Sequence, residues 1–164
     1  MTTGQVAYAI HDGVYILKFR GDIRFQLCAS VDRFIQRIFQ DTAKPKVIID
    51  LLDASAVDST ALGVIAQIAI HTRRAYDRRP TILVRNPDLL AVLHAVSFDK
   101  VFHVLPDAEH EPESYLELKA EPADEIHFTR QALAAHRHLM MLSQENRVLF
   151  QDVTRALESV AQLE

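Results

Sequence analysis

From Lys46 to Leu52 the chain reads KVIIDLL, a run that is apolar on both of the faces a β-strand presents. A half-exposed strand alternates, because successive side chains point to opposite sides. A run that fails to alternate has to be covered on both. Shortly after it the period changes: Asp58 opens a helical pattern over about Ser59 to Tyr76. A doubly buried strand followed at once by a helix requires helices on both faces of a mainly parallel sheet, which is an α/β sandwich.

The flanking segments fit that frame. Val6, Tyr8 and Ile10 alternate along a first strand, and a second follows at Val14–Phe19. Asp12–Gly13 between them is a hairpin signal, so the N-terminus supplies the antiparallel part of the sheet. Leu27, Val31, Phe34, Ile35, Ile38 and Phe39 fall on one helical face. PTILV (80–84) and VFHVL (101–105) read as short strands. Asn86 caps a helix with Pro87 at its first position and Leu89, Leu90, Leu93 and Val96 on its apolar side. From Pro106 to Pro122 the chain is acidic and proline-punctuated, an exposed loop, within which YLELK (115–119) fits either a strand end or a helical turn.

Composition removes several function classes. A formal net charge of −4 argues against nucleic acid as the main partner. The single cysteine, Cys28, excludes an internal disulfide framework and suits a reducing compartment. No apolar run reaches bilayer length, and the N-terminal residues lack the pattern of a signal peptide, so a cytoplasmic protein is expected.

After Pro122 the chain contains neither Gly nor Pro, and residues 119–164 are expected to form a helical extension to a domain of residues 1–118. Spacings of four and three pick out Phe128, Ala132, Ala135, Leu139, Leu142, Asn146, Leu149, Val153, Ala156, Val160 and Leu163. That is a heptad seam in which Asn146 would set register in a homodimer. One unbroken helix of this length would reach about 60 Å, beyond a domain of this size. Leu133, Met140, Met141, Val148, Phe150 and Leu157 widen the apolar band, as in a helix that folds back on its own domain, with SQEN (143–146) as the break.

The residues richest in chemistry are VDSTALG (57–63). Asp58 is a favoured N-cap, and a capped helix start explains it without further function. Ser59 and Thr60 then occupy the first turn, at the carboxyl edge of the preceding strand, where α/β sheets meet ligands and partners. A phosphate there lies in the positive field of the helix N-terminus. Gly63, one turn in, allows another backbone to pack closely. A phosphoserine beside Asp58 and near Asp53 would gather negative charge, and a loss of ~3 kcal/mol at an interface weakens binding more than a hundredfold.

VIIDLLDASAVDSTALGVIAQIA (47–69) resembles the signature of STAS-domain proteins of the anti-sigma factor antagonist type, which typically reads Asp-Ser-Ser/Thr-Gly-Leu-Gly. The order of elements from Val6 to about Leu118 is similar too, with RGDI (20–23) where relatives carry a Gly-Glu/Asp-hydrophobic loop. The resemblance implies a regulatory binding protein without cofactor or catalytic residues. Ser59 would be the phosphorylated serine, with Thr60 as the fallback acceptor. Asp22, Arg24, Asp58, Ser59, Thr60 and Gly63 would form the partner-binding surface. It implies an anti-sigma factor, a serine kinase and a PP2C-like phosphatase as partners. Ala61 stands where relatives usually have Gly, and Arg24 where many have Asp, which alters the partner-facing surface. The competing reading is a constitutive scaffold in which Ser59 only starts a helix.

Other residues read as structural. His136 and His138 are two apart, so on a helix they face different sides and cannot share a metal. His71, His94 and His103 have no neighbour at ligand spacing. Cys28 suits a small buried hydrophobe. The arginines of HTRRAYDRRP (71–80) complement a helix C-terminus or form a docking patch for an acidic partner.

Overall fold

A computed structural model describes residues 3–108 and 111–162. Strands β1 (Gln5–His11) and β2 (Val14–Ile23) pair antiparallel across a turn in which Asp12 and Gly13 both take positive φ, 51° and 78°. That is the geometry whose twist matches the flanking strands. A 3-10 turn (Phe25–Leu27) leads into α1 (Cys28–Asp41). There follow β3 (Lys46–Val57), α2 (Ser59–Tyr76), β4 (Thr81–Leu83), α3 (Pro87–Ala95), a second 3-10 turn (Phe98–Lys100) and β5 (His103–Leu105). The chain ends in β6 (Leu116–Leu118), α4 (Glu125–Met140) and α5 (Gln144–Gln162).

The six strands form one sheet in the order β5-β4-β3-β2-β1-β6. Pairing is parallel from β2 through β5, and antiparallel on either side of β1. The expected α/β sandwich with an antiparallel N-terminal hairpin is the architecture found. YLELK resolves as a strand, because Leu116–Leu118 pairs with Tyr8–Val6 and closes the outer edge of β1. Glu109 and His110 of the preceding acidic loop lie outside the described residues.

The sheet centre is apolar on both faces, with Leu17, Ile49, Leu51 and Ile82 fully buried. Asp50 is the charge inside KVIIDLL, and buried Lys18 of β2 pairs with it at 3.1 Å and with Asp53 at the same distance. Strands β2 and β3 both run further than the sequence patterns indicate. Their second halves stay paired through irregularities beside Arg20 and Gly21, where Gly21 takes a φ of 77° that a β-carbon would disfavour. The extra residues carry Asp22 and Ile23 up to the start of α2, where the amide of Asp58 donates to the Ile23 carbonyl at 3.0 Å.

The tail is not one projecting helix. It breaks at Met141–Ser143 and returns as a hairpin, with α4 laid on α2 and α5 on α4. Ser143 Oγ accepts the amide of Asn146 at 3.0 Å, so SQEN starts α5, and the turn falls just ahead of it. Ala135, Leu139 and Asn146 of the expected seam are buried inside the chain itself. Asn146 donates from Nδ2 to the Val96 and Leu139 carbonyls, both at 2.8 Å, and accepts from Ser97 Oγ at 3.2 Å. Its hydrogen bonds are thus used within one chain. Leu163 lies outside the described residues.

Candidate functional site

Two chain segments meet at the carboxyl edge of the parallel strands, and Asp58 joins them. Its Oδ1 accepts the Ala61 amide at 2.8 Å, capping α2, and its Oδ2 accepts the Phe25 amide from the β2–α1 loop at 2.8 Å. The capping role expected from the sequence is therefore one half of what this carboxylate does. Beside it Asp22, at the end of β2, pairs with Arg24 of the loop at 2.9 Å, and the guanidinium is more than half exposed.

Ser59 begins α2 at this junction, but it is not the uncovered hydroxyl that the sequence pattern suggests. It is half-buried, and its Oγ lies 2.9 Å from Nε2 of His136 on α4. The ring's other nitrogen, Nδ1, lies 2.6 Å from the Ala132 carbonyl. A carbonyl can only accept, so Nδ1 carries a hydrogen and donates it to Ala132, which leaves Nε2 as the ring atom that pairs with the Ser59 hydroxyl. His136 is 5 % exposed and rests edge-on against Phe150 of α5. Thr60 is buried and faces away from solvent. Asp53 shares Lys18 with Asp50, so the three side chains together carry one net negative charge.

Gly63 does admit a close neighbour, and the neighbour is α4. A β-carbon built there would lie 2.6 Å from Ala135 Cβ and closer still to the Ala135 carbonyl. The loop is covered as well, for Phe128 of α4 packs edge-to-face on Phe25 with ring centroids 5.1 Å apart. Of the sequence-designated residues, the structure gathers Asp58, Ser59 and Gly63 under α4. Asp22 sits at the end of β2 and Arg24 on the loop that follows. His136 escaped the sequence reading, because spacing along its own helix says nothing about a serine 77 positions earlier. Gly63 was the available signal: a glycine tolerated inside a helix announces that some backbone comes close.

Elsewhere the groups stand apart from this junction. Cys28 is buried, and burial first, with Asp58 and Asp32 adding negative charge, pushes its thiol up to about 12. Arg73, Arg74, Arg78 and Arg79 line a cavity of about 760 Å³ together with Lys100 and His103, at the far end of α2. Among the described residues no group of His, Cys, Asp or Glu is placed to hold a metal ion, and no helix is long and apolar enough to cross a membrane.

The STAS domain profile matches residues 5–111. No curated protein sequence matches the chain. Among solved structures, an anti-sigma factor antagonist from Mycobacterium paratuberculosis is 20% identical, with a TM-score of 0.56 over 65% of this chain and 89% of that one. A candidate anti-sigma factor antagonist from Thermotoga maritima is 21% identical, with a TM-score of 0.49 over 62% and 86%.

Proposed function

Because this chain belongs to the STAS-domain family, we propose that it is a non-enzymatic anti-sigma factor antagonist switched by phosphorylation of Ser59. Unphosphorylated, it binds an anti-sigma factor and so frees a sigma factor for transcription, in the cytoplasm. A serine kinase of the anti-sigma type adds the phosphate and a PP2C-like phosphatase removes it. Residues 1–118 are the STAS-like unit and 119–164 the extension.

The observation that carries this reading is the position of Ser59 in the first turn of a helix capped by Asp58, at the carboxyl edge of the sheet. In the transfer, Ser59 Oγ attacks the γ-phosphorus of ATP, the bond to the bridging oxygen breaks and ADP leaves. The hydroxyl proton passes to a base of the kinase. A phosphate here favours the helix dipole, so the modification changes the surface and leaves the fold standing. Asp22, Arg24, Asp58 and Gly63 frame the surface whose charge changes. Incubation with such a kinase and ATP, followed by mass spectrometry, is expected to place the label on Ser59. Label on neither Ser59 nor Thr60, with unchanged anti-sigma binding in Ser59→Asp, defeats the reading.

One observation favours the scaffold alternative. Helix α5 leaves Leu149, Val153 and Val160 exposed along one stripe, which a second copy of the chain could cover. A constitutive scaffold predicts identical partner pull-downs for Ser59→Ala and Ser59→Asp, and a homodimer that dissociates in sedimentation when Leu149 and Val153 are changed to Glu.

A further inference from the structure

Helix α4 lies beyond residue 111, where the family match ends, and yet it occupies the face that carries Ser59. It makes three separate contacts there. His136 pairs with the Ser59 hydroxyl, the Ala135 backbone sits on Gly63, and Phe128 covers Phe25. The extension therefore buries the surface that the switch needs to present.

We propose that the α4–α5 hairpin is a built-in competitor for the partner-docking face: kinase or anti-sigma factor reaches Ser59 only when α4 lifts, and phosphate on Ser59 keeps it lifted. The identity of those partners rests on the function proposed above; the competition rests on the contacts alone. The partner that replaces α4 has stated chemistry. Over Gly63 the floor is bare backbone, so a docking helix must place Ala or Gly there, as α4 places Ala135.

Phosphorylation and a docked α4 are incompatible on steric grounds. Nδ1 of His136 is committed to the Ala132 carbonyl, which fixes Nε2 against Ser59. A phosphoserine adds a tetrahedral group of acceptor oxygens with a charge of about −1.5 to −2. The gap of 2.9 Å fits a hydroxyl and no phosphoryl group. With Phe150 behind the ring and the α4 backbone fixed on Gly63, the histidine has little room to retreat.

The hairpin is also built to open from one end. The buried residues of α4, Leu133, Ala135, His136 and Leu139, all lie in its second half. Its first half is held by Phe128 and a 3.5 Å bond from Gln131 to Asp32, above a cleft of about 570 Å³ against α1. The far end is pinned by Asn146. His138 Nδ1 is buried without a partner, which weakens the docked state. Helix α4 can thus peel away about the Asn146 anchor while the sheet stays intact.

Two measurements on the full chain test this. Hydrogen–deuterium exchange on Ser59→Glu is expected to speed exchange across residues 125–140 by about tenfold or more while β3 keeps its protection, a coupling of ordinary allosteric size. Unchanged exchange in α4 overturns the proposal. Ala135→Glu, with His136→Ala as the milder second variant, is expected to raise the rate of kinase labelling at Ser59 by about tenfold. Should exchange report α4 released in these variants while Ser59 is labelled at the original rate, the hairpin is no gate. If neither original chain nor variants are labelled on Ser59, the acceptor assignment fails, and the exchange arm alone decides whether charge at Ser59 expels α4.

Discussion

The carboxylate of Asp58 holds the Phe25 amide 2.8 Å from Oδ2 while its other oxygen caps α2. One side chain therefore sets both the start of α2 and the path of the neighbouring loop. Asp58→Ala removes a helix cap and a charge-assisted bond, together about 2 kcal/mol on a partly exposed site. For a chain of this length the expected fall in Tm is about 4–8 °C. Asp58→Asn retains an acceptor for the Ala61 amide and should lose less. Thermal unfolding followed by circular dichroism checks the order of the two variants.

Gly63→Ala tests whether helix propensity or packing governs this position. In an open helix the change stabilises by about 1 kcal/mol. Here the new methyl would meet the Ala135 backbone and lie 2.6 Å from its Cβ. Overpacking of that kind costs about 1–3 kcal/mol, so the clash wins and urea unfolding should show a net loss. A gain in stability would mean that α4 does not rest on α2 as described.

Asn146 separates a coiled-coil seam from a folded-back hairpin. At the centre of a dimer seam, Asn146→Leu would strengthen association and relax its register. In the hairpin it strips the partner from the buried Val96 carbonyl and one of two partners from the Leu139 carbonyl and Ser97 Oγ, which keep the Leu142 amide and Ser143 Oγ. The unsatisfied Val96 carbonyl alone costs about 1–3 kcal/mol. Lower stability with no increase in sedimentation coefficient is the expected result.

Acid should loosen the α2–α4 contact. Desolvation lowers the pKa of both His138 and His71 from the ordinary 6.5; Arg74 opposes their charging further, and Asp32 partly offsets it. A histidine whose folded pKa is depressed binds protons more readily once unfolded. Stability is therefore fully present above about pH 6.5 and declines as pH falls below it. Unfolding midpoints measured between pH 7.5 and about 5 should fall in wild type and fall less in His138→Gln.

Much of what residues 5–105 specify was legible at once, because the signals are local. KVIIDLL cannot be half exposed, Asn86–Pro87 can only start a helix, and Asp12–Gly13 admits the positive φ that the hairpin turn adopts. Asp58 and Gly63 were marked for the same reason: a cap and an intrahelical glycine each state a local requirement. The full length of β2 and β3 was less legible, since pairing through the irregularity at Gly21 depends on a partner strand that composition does not name.

The sequence by itself determined an α/β sandwich with a capped helix at Asp58, since propensity, capping and periodicity act within a few residues. Only the tertiary structure decided the state of Ser59. The apolar band of residues 128–160 is equally content against a second copy or against its own domain. The choice falls to long-range fit: Ala135 into the space over Gly63, His136 onto Ser59 and Asn146 onto Val96. Such contacts join positions far apart in the chain, so no local pattern records them. They exist because packing energy is summed over the whole folded surface.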